Sequence, residues 1–425
     1  MESMRAFRLP GLILAAAIVA VPLSAQVPDS TYIRRALRLH HDVPMMDGHN
    51  DFPWEMRTQA HLSWEGRDML AGMPTFMTDI PRLRAGGVGG QFWSIYIDTM
   101  LIQQGAAKSI MEQIDMVKQM ESRWPNVFVP ARTAADVVRA HQQGRIASLM
   151  GIEGGHAIEN SLGALRMFYD LGVRYMTLTW NNDLPWVDAA AGRKLHNGLT
   201  PFGREVVGEM NRLGMLVDLS HVSDSVMVQV LRSSEAPAIF SHSSARALAE
   251  HRRNVPDGIL RMVPQNGGIV MVNFYCDFVD SARIRWNQAA GAIGRDARTA
   301  GGDSVAVRRA VEQWAAVNPA PRPNIGTIAN HIEHIRDVAG VDHVGYGSDF
   351  DGIDCAPEGL NDVSTFPRLT AELLRRGWSD ADAKKVIGLN MLRVMRGAEA
   401  AARRLQAQRP PSSATLALDS VGVGR

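Results

Sequence analysis

Eight short runs rich in Val, Ile, Leu or Met recur along the chain, at 43–48, 88–96, 146–152, 173–180, 214–219, 237–241, 268–274 and 343–349. Most of the intervals between them carry apolar residues at helical spacing, as in 110–122, 134–143, 162–171, 202–213, 223–233 and 325–338. Strand-like runs alternating with helical segments predict a parallel sheet. Eight such units predict closure into a (β/α)8 TIM-type barrel, with a doubly wound open sheet as the alternative. The interval after the seventh run, 277–323, is too long for one helix and reads as an excursion over the barrel mouth. It holds a Gly/Ala/Arg-rich piece, an amphipathic stretch at 305–316 and the string Asn318-Pro-Ala-Pro-Arg-Pro323. Two further helical stretches, 366–376 and 380–404, should pack on the barrel's side, which gives a barrel domain over 26–405 and a disordered tail over 406–425. No repeat beyond the β/α alternation is visible.

With 425 residues, 46% of them hydrophobic, the chain has ample material for a large core. Its formal net charge of +1 comes from scattered Lys and Arg, which argues against a nucleic-acid partner. Arg5 and Arg8, then an apolar stretch from Gly11 to Leu23, then Ser24-Ala25-Gln26, have the three parts of a secretory signal peptide. We expect cleavage after Ala25, a periplasmic or secreted protein, and no stable membrane anchor, since a span needs about 20 apolar residues. The two cysteines, Cys276 and Cys355, lack zinc-thiolate spacing. An exported chain could join them, but a core this large does not need a bridge, and the expectation is that they remain unpaired.

The candidate chemistry lies at the ends of the apolar runs. Val43-Pro-Met-Met46 leads into Asp47-Gly-His-Asn-Asp51, where His49 and Asp51, two apart on a strand, can serve one metal ion. Glu153, His221, His242 and Asp349 end later runs. In a barrel such ends share one rim. Three imidazoles and two carboxylates suit zinc or a similar divalent ion, and five ligands exceed what one tetrahedral site takes. Two zinc ions fit, with Glu153 as the natural bridge between a His49/Asp51 ion and a His221/His242 ion. Paired ions that hold a hydroxide and polarise a carbonyl are a hydrolytic arrangement. His331 and His334, three apart on a helical stretch, are expected on a solvated face, and His40, like the remaining histidines, has no special role. Read alone, Arg253 suggests a surface charge and Asp349 a turn cap, a role Asp351 could share.

The strings Asp47-Gly-His-Asn-Asp51, Gly151-Ile-Glu-Gly-Gly-His156, Asp218-Leu-Ser-His-Val222, Phe240-Ser-His-Ser-Ser-Ala245, Arg252-Arg-Asn-Val-Pro256 and Gly347-Ser-Asp-Phe-Asp-Gly352 resemble the membrane (renal-type) dipeptidase family. The resemblance runs in order over roughly residues 30 to 400. It implies a binuclear zinc (β/α)8 barrel of the amidohydrolase-like group that cleaves dipeptides, often with a D-residue at the C-terminal position, and it makes a homodimer the expected assembly. Carried over motif by motif, His49, Asp51, Glu153, His221 and His242 hold metal, Arg253 grips the substrate carboxylate and Asp349 handles the proton. One position departs. Where the family tends to carry Thr-Leu-Thr-His, with an imidazole to stabilise the oxyanion, this chain reads Thr177-Leu-Thr-Trp180. Trp offers one N–H and cannot be protonated like imidazole, so Trp180 is expected to shape the substrate pocket instead. Two other readings stay open: hydrolysis of another amide such as a lactam or N-acyl amino acid, and a metal-bearing binding protein of weak activity.

Overall fold

The structure, a computed structural model, describes residues 29–416. The proposed signal peptide lies outside the described residues. Among those described, nine parallel strands form one sheet: β1 Met45–Asn50, β2 Val88–Tyr96, β3 Phe128–Pro130, β4 Ile146–Glu153, β5 Val173–Thr177, β6 Leu216–Asp218, β7 Ile239–Phe240, β8 Ile269–Val272 and β9 Val344–Tyr346. Eight close a ring in the order β1, β2, β4, β5, β6, β7, β8, β9 and back to β1. This is the (β/α)8 barrel, and the open doubly wound alternative is excluded by the β1–β9 and β2–β4 pairings. β3 stands outside the ring, paired with the first half of β4 at Ile146–Ser148, where β5 has not yet begun. Its three residues carry too little pattern to register as a strand in the sequence.

The ring strands are buried on both faces, which is why they read as continuous apolar runs rather than alternating ones. Inside the barrel the space is filled by side chains that fit one another closely. Gly151 of β4 sits opposite Tyr175 of β5, and a Cβ at Gly151 would lie 2.0 Å from the tyrosine ring. Glycine there lets Tyr175 cross the barrel interior toward β1.

Connecting helices start and stop where local chemistry dictates. The helix Pro201–Leu213 is capped by the Thr200 side chain, which accepts from Gly203 N, and it ends at Gly214 with φ 85°, the left-handed conformation that glycine adopts without strain. The excursion is largely helical, with helices Cys276–Val279, Ser281–Thr299 and Ser304–Val317. The Gly/Ala/Arg-rich piece is therefore the long helix Ser281–Thr299, which packs on its successor through Trp286 and Trp314.

Four sequence expectations change. Cys276 and Cys355 form a disulfide; it is local stapling of two rim loops, which core size does not bear on. His331 is buried, accepting from Ala245 N at 3.1 Å and hydrogen-bonding Val279 O at 3.0 Å, because its helix lies under the excursion rather than in solvent. His40 is buried between Gly86 O and Thr370 Oγ1. At the C-terminus, where a loose tail from residue 406 was expected, the helix continues to Gln408, and Ser412 N donates to Glu209 at 3.2 Å. Residues 417–425 lie outside the described part. No helix among the described residues is long and apolar enough to cross a membrane.

Candidate active site

All ring strands run the same way, so their C-terminal ends surround one mouth. β1 delivers His49, and Asp51 follows one residue past its end; β4 ends on Glu153; His221, His242 and Asp349 follow β6, β7 and β9 within three residues. Backbone bonds extend the β1–β9 pairing beyond both strands, with Asp349 N donating to His49 O at 3.0 Å and Asp51 N to Phe350 O at 2.9 Å. His221 and Asp349 have φ of 68° and 66°. For residues with a Cβ this backbone is strained, and such strain concentrates at functional rims.

His49 Nε2 lies 3.4 Å from Asp51 Oδ2, 3.5 Å from Glu153 Oε2 and 3.9 Å from Asp349 Oδ1. The other oxygen of Glu153 faces the other histidines: Oε1 is 2.9 Å from His221 Nε2 and 3.5 Å from His242 Nε2, and those nitrogens are 3.0 Å apart. Two atoms each bound about 2.0–2.1 Å from a tetrahedral zinc stand roughly 3.4 Å apart, close to these separations. His49 Nε2 is also buried without a hydrogen-bond partner. A ring of carboxylates and imidazole nitrogens packed this tightly is repulsive unless a proton or cation sits among them. The donor set therefore fits metal.

The outer nitrogens set the tautomers. Tyr175 OH can donate to Gly48 O at 3.3 Å and accept from His49 Nδ1 at 2.8 Å, which leaves the His49 Nε2 lone pair facing Asp51 and Glu153. Ser241 Oγ donates to Asp218 Oδ2 at 2.6 Å and accepts from His242 Nδ1 at 2.8 Å, with the same result for His242. Such outer partners orient ligands and raise their basicity. Burial holds His221 down to about 3, helped by the Arg253 charge, and it lowers His242 well below the ordinary imidazole range; both are neutral and able to ligate. Burial opposes a charge on His49 too, but the Tyr175 oxygen and the Asp51 and Glu153 carboxylates outweigh it and raise its pKa.

Above the cluster opens a cavity of about 340 Å³, lined among others by Trp54, Tyr96, Trp180, Arg253 and Asp349. Arg253 is buried, with Nε and Nη1 lacking hydrogen-bond partners and its guanidinium 5.2 Å from the Phe278 ring centroid. Burial lowers its pKa to about 10, which leaves it charged at neutral pH. It is not the surface charge that the isolated residue suggested. Asp349 Oδ2 accepts from Asn273 Nδ2 at 2.8 Å, and burial, with Asp51 and Glu153 nearby, raises its pKa. Asp351 stays apart from the cavity: its Oδ1 accepts from Met77 N at 2.6 Å. Trp180 lies three residues beyond β5, its ring 5.1 Å from that of Tyr96 and 6.3 Å from that of His221.

Tyr175, Asp218, Ser241 and Asn273 escaped the sequence reading. One signal was available for the first, because a glycine inside a strand marks close approach, and Gly151 is such a glycine.

Residues 33–409 match the family described as Membrane dipeptidase (Peptidase family M19). Over 381 residues the chain is 38% identical to Dipeptidase 3 of Rattus norvegicus, a stretch that covers 88% of this chain and 69% of that protein. Among solved structures, a metallo peptidase from Rhodobacter sphaeroides, liganded with a phosphinate mimic of the dipeptide L-Ala-D-Ala, is 27% identical with a TM-score of 0.69, covering 84% of this chain and 99% of that one. The probable dipeptidase PvdM from Pseudomonas aeruginosa has a TM-score of 0.75 at 23% identity, covering 88% and 100%, a likeness of fold. Since the matched span takes in every ring strand and every rim residue described above, the chain belongs to the membrane dipeptidase family of metallopeptidases, peptidase family M19.

Proposed function

We propose that the protein is an exported zinc-dependent dipeptidase that uses two zinc ions bridged by Glu153. Supporting this reading is the arrangement around that carboxylate, with one oxygen toward His49 and the other toward His221 and His242. Two zinc ions, when bound, supply a hydroxide nucleophile at neutral pH and polarise the scissile carbonyl. The remaining work belongs to this chain's own groups. Arg253, buried beside the cluster with donors unsatisfied, takes the free C-terminal carboxylate, for which a planar fork of N–H donors is suited. Asp349, steadied by Asn273, accepts the nucleophile's proton and returns it to the leaving amine. Trp180 closes one wall of the pocket. The cavity volume suits a ligand of two residues.

Tolerance of a D-residue at the C-terminal position is supported by the dipeptide mimic held by the Rhodobacter sphaeroides relative. Export and a homodimer complete the proposal; N-terminal sequencing, expected to begin near Gln26, and light scattering check them. The function itself is tested with metal-loaded protein on free and C-terminally amidated L-Ala-D-Ala. Cleavage of the free dipeptide, with the amide at least tenfold slower for loss of the Arg253 contact, is expected. Equal rates on both would remove Arg253 from recognition, and no cleavage of either would remove the dipeptidase.

A further inference from the structure

The cavity wall opposite Arg253 carries a second charged feature. In the ring order, β2 and β7 are separated by three strands on either side, so the loop after β2 faces the loop after β7 that bears Arg253. β2 climbs this wall with residues two apart on one face. Ser94 donates to Glu153 at 3.3 Å, and Tyr96 pairs in register with Glu153. Asp98 follows with extended backbone, φ −60° and ψ 135°, and also lines the cavity. Of the carboxylates that line it, Asp51, Asp98, Glu153 and Asp349, only Asp98 lies outside the metal and proton machinery. Its Oδ1 accepts from Met100 N at 2.7 Å, and among the described residues it makes no ion pair. Below it, the Tyr96 ring lies 4.8 Å from the Trp54 ring and 5.1 Å from the Trp180 ring, and all three line the cavity.

A carboxylate that lines one cavity with three aromatic side chains is suited to an organic cation, through charge and through the ring quadrupoles. We propose that Asp98, with Trp54, Tyr96 and Trp180, forms a cation subsite that takes the basic side chain of a dipeptide's N-terminal residue. This rests on the dipeptidase reading and narrows its substrate class. Reach decides between the two cations such a dipeptide offers. The α-ammonium lies only about 2.5 Å from the scissile carbon, at the level of the ligand cluster. Asp98 stands about 6–7 Å further along the strand direction than Tyr96, the residue in register with Glu153; a lysine side chain spans that distance and an α-ammonium does not. Trp180, which stands where the resembled family tends to carry histidine, adds the third aromatic ring to the cavity lining.

The test compares kcat/KM of zinc-loaded protein on L-Lys-L-Ala and on L-norleucyl-L-Ala, which differ only in the terminal ammonium. The wild type should prefer lysine by about tenfold or more. Asp98→Asn should bring the ratio close to one, Trp180→Ala should lower it, and Asp98→Glu should keep most of it. A wild-type ratio near one overturns the proposal, as does a ratio that Asp98→Asn leaves in place. If Asp98→Asn slows both substrates equally, the carboxylate serves the α-ammonium, and the subsite as proposed is wrong. Failure of the wild type on both substrates, and on L-Ala-D-Ala as well, counts against the dipeptidase reading instead.

Discussion

A histidine ligates through one nitrogen, so whatever holds the other decides how well the first is presented. For His49 that partner is Tyr175, at 2.8 Å. Tyr175→Phe keeps the ring that fills the barrel but deletes the acceptor. Zinc affinity, measured by chelator competition, should fall roughly 10- to 100-fold, and unchanged affinity would show that the tautomer is fixed by other means. Trp180 supports a second prediction. If the pocket wall is its role, Trp180→Ala shifts which dipeptides are accepted more than it lowers the best kcat, and Trp180→His gives no large gain. A gain on the scale of a restored oxyanion donor, about 100-fold, would mean instead that the missing imidazole limits the wild type. The residues of the rim were legible in the sequence because each follows an apolar run by a few positions at most. Tyr175 and Asn273 were not, since the first has its partner across the ring and the second on the neighbouring strand, and both contacts depend on strand register, which periodicity does not specify.

At the scale of elements, the disulfide joins the loop after β8 to the loop after β9. Tyr275 and Phe278 flank Cys276 and line the cavity, and Asp349 and Gly352 precede Cys355 and line it too. The bridge therefore braces the wall under Arg253 against the segment that carries Asp349. Removing it with Cys276→Ser and Cys355→Ser should cost roughly 2–4 kcal/mol of stability, seen as a lower Tm, and should raise KM more than it lowers kcat. An unchanged Tm and KM would make it incidental. The pairing was hidden in the sequence because cysteines 79 positions apart are brought together only by the β8–β9 contact. The strands and most helices were visible to within a few residues, since a two-face buried strand is an uninterrupted apolar run and an amphipathic helix declares its period. The short β3 and the burial of His331 both follow from packing between elements distant in sequence.

For the molecule as a whole, closing the ring gathers charges that the chain scatters over more than 300 positions, from His49 to Asp349. The mouth so formed has a carboxylate and imidazole cluster at its floor, Arg253 on one side and Asp98 across from it. A site assembled from so many strands has little reason to hold its donors 3–4 Å apart unless a cation completes it, so metal should stabilise the fold as well as activate it. Ligand linkage gives about 2.7 kcal/mol at a free concentration 100 times Kd, and the metal-loaded protein should melt at a higher temperature than the chelated form. Zinc titrated into chelator-stripped protein, with L-Ala-D-Ala hydrolysis followed at each addition, tests the account most directly. The rate should rise from near zero and level off at two equivalents per chain. Activity in the stripped protein, or a plateau at one equivalent, would contradict it.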